Sequence, residues 1–283
     1  MTAGFIAETS RQAMKITINE LRSVLRHLKD GNKKQKVFGI GNHKTGTTTL
    51  NYIMHGLGFN CAPQANLERD CTLETIKGNY KPLTKYIHHF DFFQDSPFAH
   101  ANTYVAIDAL FPKSKFIYTY RDSNEWFESN INYVAQWCKT QPSKLNRSHY
   151  ASYGYISKDY MIKKTEYYEI SEVNIGQLRA KPNWNLLFDK EKYIKEYENR
   201  RDEILKYFQN RSQDFLAIDI TKEKSVKKIT HFLGYPKFID FQMPKLNANQ
   251  GSENKEIIIE NKDFLDIINN YGLEHDQRRS HEE

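Results

Sequence analysis

Ten residues, Gly41-Asn42-His43-Lys44-Thr45-Gly46-Thr47-Thr48-Thr49-Leu50, constrain the fold more than any other stretch of the chain. They follow a compact apolar run, Val37 to Ile40, which stops at Gly41. Beyond them, Leu50, Ile53, Met54 and Leu57 recur at helical spacing until Gly58. Strand, Gly/Thr-rich turn and helix in that order form the opening unit of a wound α/β sheet. At such a junction the backbone N–H groups and the helix dipole together attract anionic oxygens. Gly46 permits close approach of backbone to a phosphate, and the hydroxyls of Thr45, Thr47, Thr48 and Thr49 add donors.

The unit recurs along the chain. Helical spacing near 98–110 leads through Phe111-Pro112 into Phe116-Ile117-Tyr118-Thr119-Tyr120, a strand that ends at Arg121. A helix follows, carrying Trp126, Phe127, Ile131 and Val134. Asp214 to Ile218 reads as a further buried strand, with 222–233 as its helix and Asp219 as that helix's cap. Strands alternating with helices predict a three-layer α/β/α fold with a central parallel sheet, of P-loop NTPase-like type. Residues 139–190, rich in Tyr, Ser, Lys and Asn, interrupt the alternation and read as an insertion with helical pieces. The expected organisation is an N-terminal helical extension over 1–35, a main domain over 36–250 and a tail over 251–283. The loop 243–251 and a disordered 274–283 complete it.

Charge and cysteines narrow the function classes. The formal charge is +6, from 41 Lys and Arg against 35 Asp and Glu, which suits anionic small molecules or acidic polymers. It lacks the concentrated basic stripe of a nucleic-acid binder. Three unevenly spaced cysteines without a CxxC pair offer neither a disulfide framework nor a zinc site, so a reducing, cytoplasmic setting is expected. No apolar run approaches the roughly 20 residues that span a bilayer.

The loop departs from a nucleotide-kinase loop in one respect. Against the spacing G-x-x-x-x-G-K-S/T, Gly41, Gly46 and Thr48 fall in register, but position 47 is Thr and the lysine is Lys44. A kinase lysine reaches the β/γ-phosphates of ATP while the following hydroxyl binds Mg²⁺. A P-loop kinase or NTPase is therefore the lesser alternative, beside a non-catalytic nucleotide-binding protein of the same fold.

With its lysine inside a KTGTT-type turn, the segment resembles the 5′-phosphosulfate loop of sulfotransferases that use 3′-phosphoadenosine 5′-phosphosulfate (PAPS). The resemblance extends over roughly 36–235, with its strong motifs at 41–50 and 115–130. It implies that Lys44 bridges the donor's 5′-phosphate and the sulfuryl group, stabilising the departing oxygen. It also implies a 3′-phosphate site built from an arginine at a strand end and a serine eight residues on, here Arg121 and Ser129. Arg121 offers the planar fork that phosphate oxygens fit. Lys245, in a late polar loop, is a further candidate for nucleotide contact.

The acceptor's proton needs a base. Family members carry a histidine some twenty residues before the arginine; this chain has Phe92-Phe93-Gln94-Asp95-Ser96-Pro97 there. Asp95 is the candidate, with helix capping as its structural alternative, His88 and His89 as runners-up, and Glu74 and Asp91 behind them. Arg200 and Arg201 read as a solvated helix face. The expected activity is sulfuryl transfer from PAPS, without a metal, to a hydroxyl or amine of a small-molecule or carbohydrate acceptor. A homo-oligomer is compatible with the chain.

Overall fold

The protein is represented by a computed structural model, which describes residues 14–27, 35–152, 156, 159–174, 179–244 and 256–269. In chain order the elements are β1 (Met14–Thr17), α1 (Ile18–His27), β2 (Val37–Gly39), α2 (Thr47–Gly56), α3 (Gln64–Ile76), α4 (Lys81–His89), β3 (Phe92–Phe93) and α5 (Thr103–Leu110). They continue with β4 (Lys115–Thr119), α6 (Ser123–Trp137), α7 (Arg147–Ser152), α8 (Tyr160–Tyr168), β5 (Ser171–Asn174) and β6 (Arg179–Pro182). The last are α9 (Lys190–Tyr207), β7 (Phe215–Ile218), α10 (Lys227–Phe232), β8 (Glu256–Ile259) and a helix over 262–269.

The chain divides into two compact units. The larger comprises Asn32–Met54 and Phe59–Lys222. Its centre is a parallel four-stranded sheet in the order β3-β2-β4-β7. One row across it is phenylalanine on every strand: Phe93 pairs with Phe38, Phe38 with Phe116, and Phe116 with Phe215. Phe38 stacks on Phe93 at 5.0 Å and on Phe116 at 5.6 Å, and Phe208, at the end of α9, lies flat on Phe215 at 4.5 Å. Each such ring contributes roughly 1.5–3 kcal/mol by leaving water. Parallel strands buried on both faces must be apolar throughout, which is why β2 is wholly buried.

The strand order also fixes where a ligand can sit. From β2 the chain moves to β3 on one side, then crosses to β4 on the other. That reversal opens a crevice outside the carboxyl ends of β2 and β4, where open α/β sheets bind ligands.

The interruption after α6 is helical, as the sequence predicts, through α7 and α8. It also holds the antiparallel β5–β6 hairpin, which composition alone does not announce. The expected helix over 222–233 is shorter. Asp219 closes a turn instead, accepting from the Thr221 backbone N–H at 3.1 Å and hydroxyl at 2.6 Å, and α10 begins only at Lys227.

The smaller unit comprises Met1–Gly31, His55–Gly58 and Glu223–Glu283. Within it, β1 pairs antiparallel with β8, Met14 opposite Ile259. A reciprocal capping box starts α1: Glu20 Oε2 accepts from the Thr17 N–H at 2.6 Å, and Thr17 Oγ1 accepts from the Glu20 N–H at 3.3 Å. α1 buries Ile18, Leu21, Val24 and Leu25, which recur at helical spacing along one face. The region expected as a tail thus carries β8 and the helix 262–269. The expected loop 243–251 for its greater part, and the terminus 274–283, lie outside the described residues.

Candidate functional site

Four loops leave the carboxyl ends of the parallel strands, and they bring the candidate residues to one end of the sheet. After β2 the chain turns through His43 and Lys44 and enters α2. Gly41 is mandatory there: a Cβ on it would lie 2.1 Å from Thr119 Oγ1 and 2.4 Å from the Thr119 carbonyl. Lys44 has φ 66° and Gly46 φ 95°, the left-handed geometry of anion-cradling turns. A Cβ at Gly46 would also meet Ile220 at 2.2 Å.

The four threonines divide. Thr45 is fully buried; its hydroxyl donates to the Asn42 carbonyl at 2.6 Å and bonds Thr119 Oγ1 at 2.8 Å, fastening the loop to β4. Thr47 and Thr49 are buried at the start of α2, whereas Thr48 is exposed. The Lys44 ammonium lies 3.9 Å from the centre of the Tyr133 ring. Burial lowers its pKa; the nearby Asp95 charge works against that and Arg121 adds to it.

Arg121 follows β4. Its backbone N–H donates to Tyr197 Oη at 3.0 Å, and that hydroxyl donates to the Arg121 carbonyl at 3.1 Å. The guanidinium reaches the Lys44 carbonyl at 3.4 Å and Glu125 at 3.2 Å. Its buried Nε–H has no partner among the described residues. Such an orphan donor is costly unless a ligand completes it. Asp122 caps α6, accepting from the Asn124 and Glu125 N–H groups. Ser129 is half-buried on α6, and no hydrogen bond joins it to Arg121 among the described residues. Lys245 lies outside the described residues.

Asp95 follows β3 with φ 64°, and the Ser96–Pro97 peptide is cis. Its carboxylate does not cap a helix. Oδ1 pairs with His43 Nδ1 and accepts the Ser96 N–H at 3.1 Å, while Oδ2 stands 3.5 Å from the Thr47 hydroxyl. Burial pushes this carboxyl up, but the His43 charge and hydrogen bond, Lys164 and the Ser96 N–H outweigh it and leave it below the usual range. The runners-up are elsewhere. His88 and His89 are exposed at the end of α4, and Asp91 accepts from the Asn60 N–H, all at the amino end of β3. Glu74 pairs with Lys77 and Asn79.

Sequence reasoning passed over His43, His100, Trp126, Lys164 and Arg200. His43 stood at a variable position of the loop motif, and its partner is remote in sequence. Its Nε2 is 3.2 Å from both Ser96 Oγ and His100 Nε2, and Ser96 Oγ is 2.8 Å from His100. Burial holds His100 well below the usual imidazole range, helped by the charges of His43, Lys164 and Arg200, so it is neutral. Tyr168 of α8 stacks on it at 4.5 Å. Trp126 donates from its indole N–H to the His43 carbonyl at 2.9 Å and stacks on Tyr197 at 4.3 Å.

Arg200 corrects the expectation of a solvated face. It is 9% exposed, and its guanidinium makes five bonds, to the Ile40 carbonyl twice, to Asn42 Oδ1, and to the Phe98 and Ala101 carbonyls. The signal was present: Tyr193, Tyr197, Arg200 and Ile204 form one helical stripe, all buried. Arg201, by contrast, pairs with Asp202 near the surface.

Parallel strands with their loops converging on a crevice, a glycine-bearing turn at a helix start, and Lys44, Arg121 and Asp95 on those loops define an α/β protein of the parallel-sheet class. The Sulfotransferase domain family model matches residues 36–252, well over half the chain. The protein belongs to that family of transferases, which act by sulfuryl transfer. A search of curated proteins finds no match. Among the described residues there is no helix long and apolar enough to cross a membrane, and no group of three or more His, Cys, Asp or Glu that could hold a metal ion.

Proposed function

We propose that this protein transfers a sulfuryl group from PAPS to a hydroxyl or amine of a small polar acceptor. The observation that carries the reading is the meeting of Lys44, Asp95 and Arg121 at one end of the sheet, with the arginine's Nε–H unpaired among the described residues. In the reaction the acceptor oxygen or nitrogen attacks sulfur as the bond from sulfur to the bridging phosphate oxygen breaks. Lys44 neutralises the charge growing on that oxygen, and adenosine 3′,5′-bisphosphate leaves. Asp95 Oδ2 receives the acceptor's proton.

Arg121, with Ser129 and Lys245, holds the donor's 3′-phosphate, a group ATP lacks. Thr45, Gly46, Thr47, Thr48 and Thr49 hold the 5′-phosphosulfate from the start of α2, Thr45 by its backbone since its hydroxyl already binds protein. The domain extends over 36–250, and its 139–190 insertion forms the acceptor side. Support for that side is Tyr168 on His100 and the charge of buried Lys164 acting on Asp95. A cytoplasmic setting belongs to the same reading, in keeping with Cys61, Cys71 and Cys138 all being free.

Calorimetry with adenosine 3′,5′-bisphosphate and with ATP–Mg²⁺, on wild type and Arg121→Ala, tests the donor. Tight binding of the bisphosphate, weak ATP binding and a large loss in the variant are expected. Preference for ATP with Arg121→Ala unchanged would overturn the reading.

A further inference from the structure

We infer that His43 is a positioning residue for the transfer reaction, tying Asp95 to the phosphate loop so that one carboxylate oxygen is left to face the acceptor. The inference rests on the function proposed above. Two features of the carboxylate motivate it. Oδ1 is saturated, by His43 Nδ1–H and the Ser96 N–H, while among the described residues Oδ2 has only the distant Thr47 hydroxyl at 3.5 Å. Rotation about the final carboxylate torsion is soft, so an Asp95 without His43 would present either oxygen in many orientations.

The other side of the imidazole is fixed as well. Nε2 meets Ser96 Oγ and His100 Nε2, each at 3.2 Å. The backbone carbonyl of His43 is held independently by the Trp126 indole N–H. Trp126 stacks on Tyr197, whose hydroxyl grips the backbone of Arg121 on both sides. Arg121, Tyr197, Trp126, His43 and Asp95 therefore form one contiguous chain of contacts. It runs from the proposed 3′-phosphate site to the proposed base. A histidine serving only to hold the loop would need no bond to Asp95, and a surface ion pair would need no anchored backbone. The charged and titratable groups around the pair are Lys44 on its own loop, His100 on the Asp95 segment, Tyr133 on α6, Lys164 on α8 and Arg200 on α9.

The test is a carboxyl ¹³C NMR titration of Asp95, assigned with Asp95→Asn, in wild type, His43→Ala and His43→Asn, with and without adenosine 3′,5′-bisphosphate. Asparagine keeps a donor near the place of Nδ1. In wild type Asp95 stays ionised below the ordinary value of 3.8. In His43→Ala its titration moves up, and in His43→Asn it returns toward wild type. Addition of the bisphosphate shifts the Asp95 resonance in wild type and not in His43→Ala. Turnover of labelled PAPS with phenol as surrogate acceptor falls on the order of a hundredfold in His43→Ala through kcat, as misplacement of a reacting group does. Bisphosphate affinity is largely kept, and His43→Asn recovers much of the rate.

An Asp95 titration unmoved by His43→Ala overturns the inference. So does loss of bisphosphate binding with no change at Asp95, which would make His43 a loop residue only. If wild type fails to bind the bisphosphate while His43 still sets the Asp95 titration, the donor assignment fails and the His43–Asp95 link stands.

Discussion

Gly41 packs directly against Thr119 at the carboxyl ends of β2 and β4, since the space a Cβ at Gly41 would need is occupied by the Thr119 hydroxyl and carbonyl, 2.1 and 2.4 Å away. The backbone carbonyl cannot swing aside as a flexible side chain would. Gly41→Ala is therefore expected to destabilise the protein by about 1–3 kcal/mol through overpacking. It should also abolish measurable bisphosphate binding, because the loop would have to move off β4. Urea unfolding and calorimetry check the two effects separately.

Arg200 supports the same loop from beneath. All five guanidinium N–H groups are used, so replacement leaves buried carbonyls unsatisfied. Arg200→Met should cost about 3–5 kcal/mol, the range for breaking a buried hydrogen-bonded charge. Arg200→Lys should rescue only part, because an ammonium cannot reproduce the planar fork. A Lys variant as stable as wild type in urea would show that charge, not geometry, is what the site requires.

Trp126→Phe separates stacking from hydrogen bonding. Phenylalanine keeps a ring against Tyr197 but leaves the His43 carbonyl without its indole donor. One hydrogen bond is worth about 0.5–1.5 kcal/mol net. Urea unfolding should show a loss of about that size, and bisphosphate affinity measured by calorimetry should weaken as the loop loosens.

Acid should destabilise the protein in part through His100. Folded, its pKa lies far below the ordinary 6.5; unfolded, it titrates near that value. The unfolded state then binds more protons as pH falls. The contribution of His100 is complete above pH 6.5 and is lost progressively as pH drops through 6.5 toward the folded pKa. Thermal melts between pH 7.5 and 4.5 should show a shallower decline for His100→Gln than for wild type. Parallel curves would mean that His100 is not held neutral.

Lys44→Ala should reduce transfer by about 10²–10³-fold, the scale for removing one preorganised charge-stabilising group. The loss should appear in kcat more than in the bisphosphate Kd, because the charge it meets grows only as the bond to sulfur breaks. Single-turnover assays with labelled PAPS distinguish the two.

Apolar runs ending in glycine, and helical spacing between them, were enough to read the parallel sheet and the glycine-bearing turn after β2 from the chain alone, because both are written in contiguous residues. The places of Lys44 after β2 and of Arg121 after β4 were legible for the same reason, while the roles proposed for them rest on the family resemblance. What the linear order could not express was pairing across distance. Asp95 could be named as a candidate base because it stands where the family it resembles carries a histidine, but its partner His43 lies 52 positions earlier, and only the adjacency of β2 and β3 brings them together. Arg200 looked solvated because arginine prefers water; four carbonyl and amide oxygens converging from the turn after β2 and the 98–101 segment reverse that preference. The β1–β8 pairing joins the two ends of the described chain for a similar reason. A strand's partner is chosen by backbone hydrogen bonds and burial, and neither is a property of the strand alone.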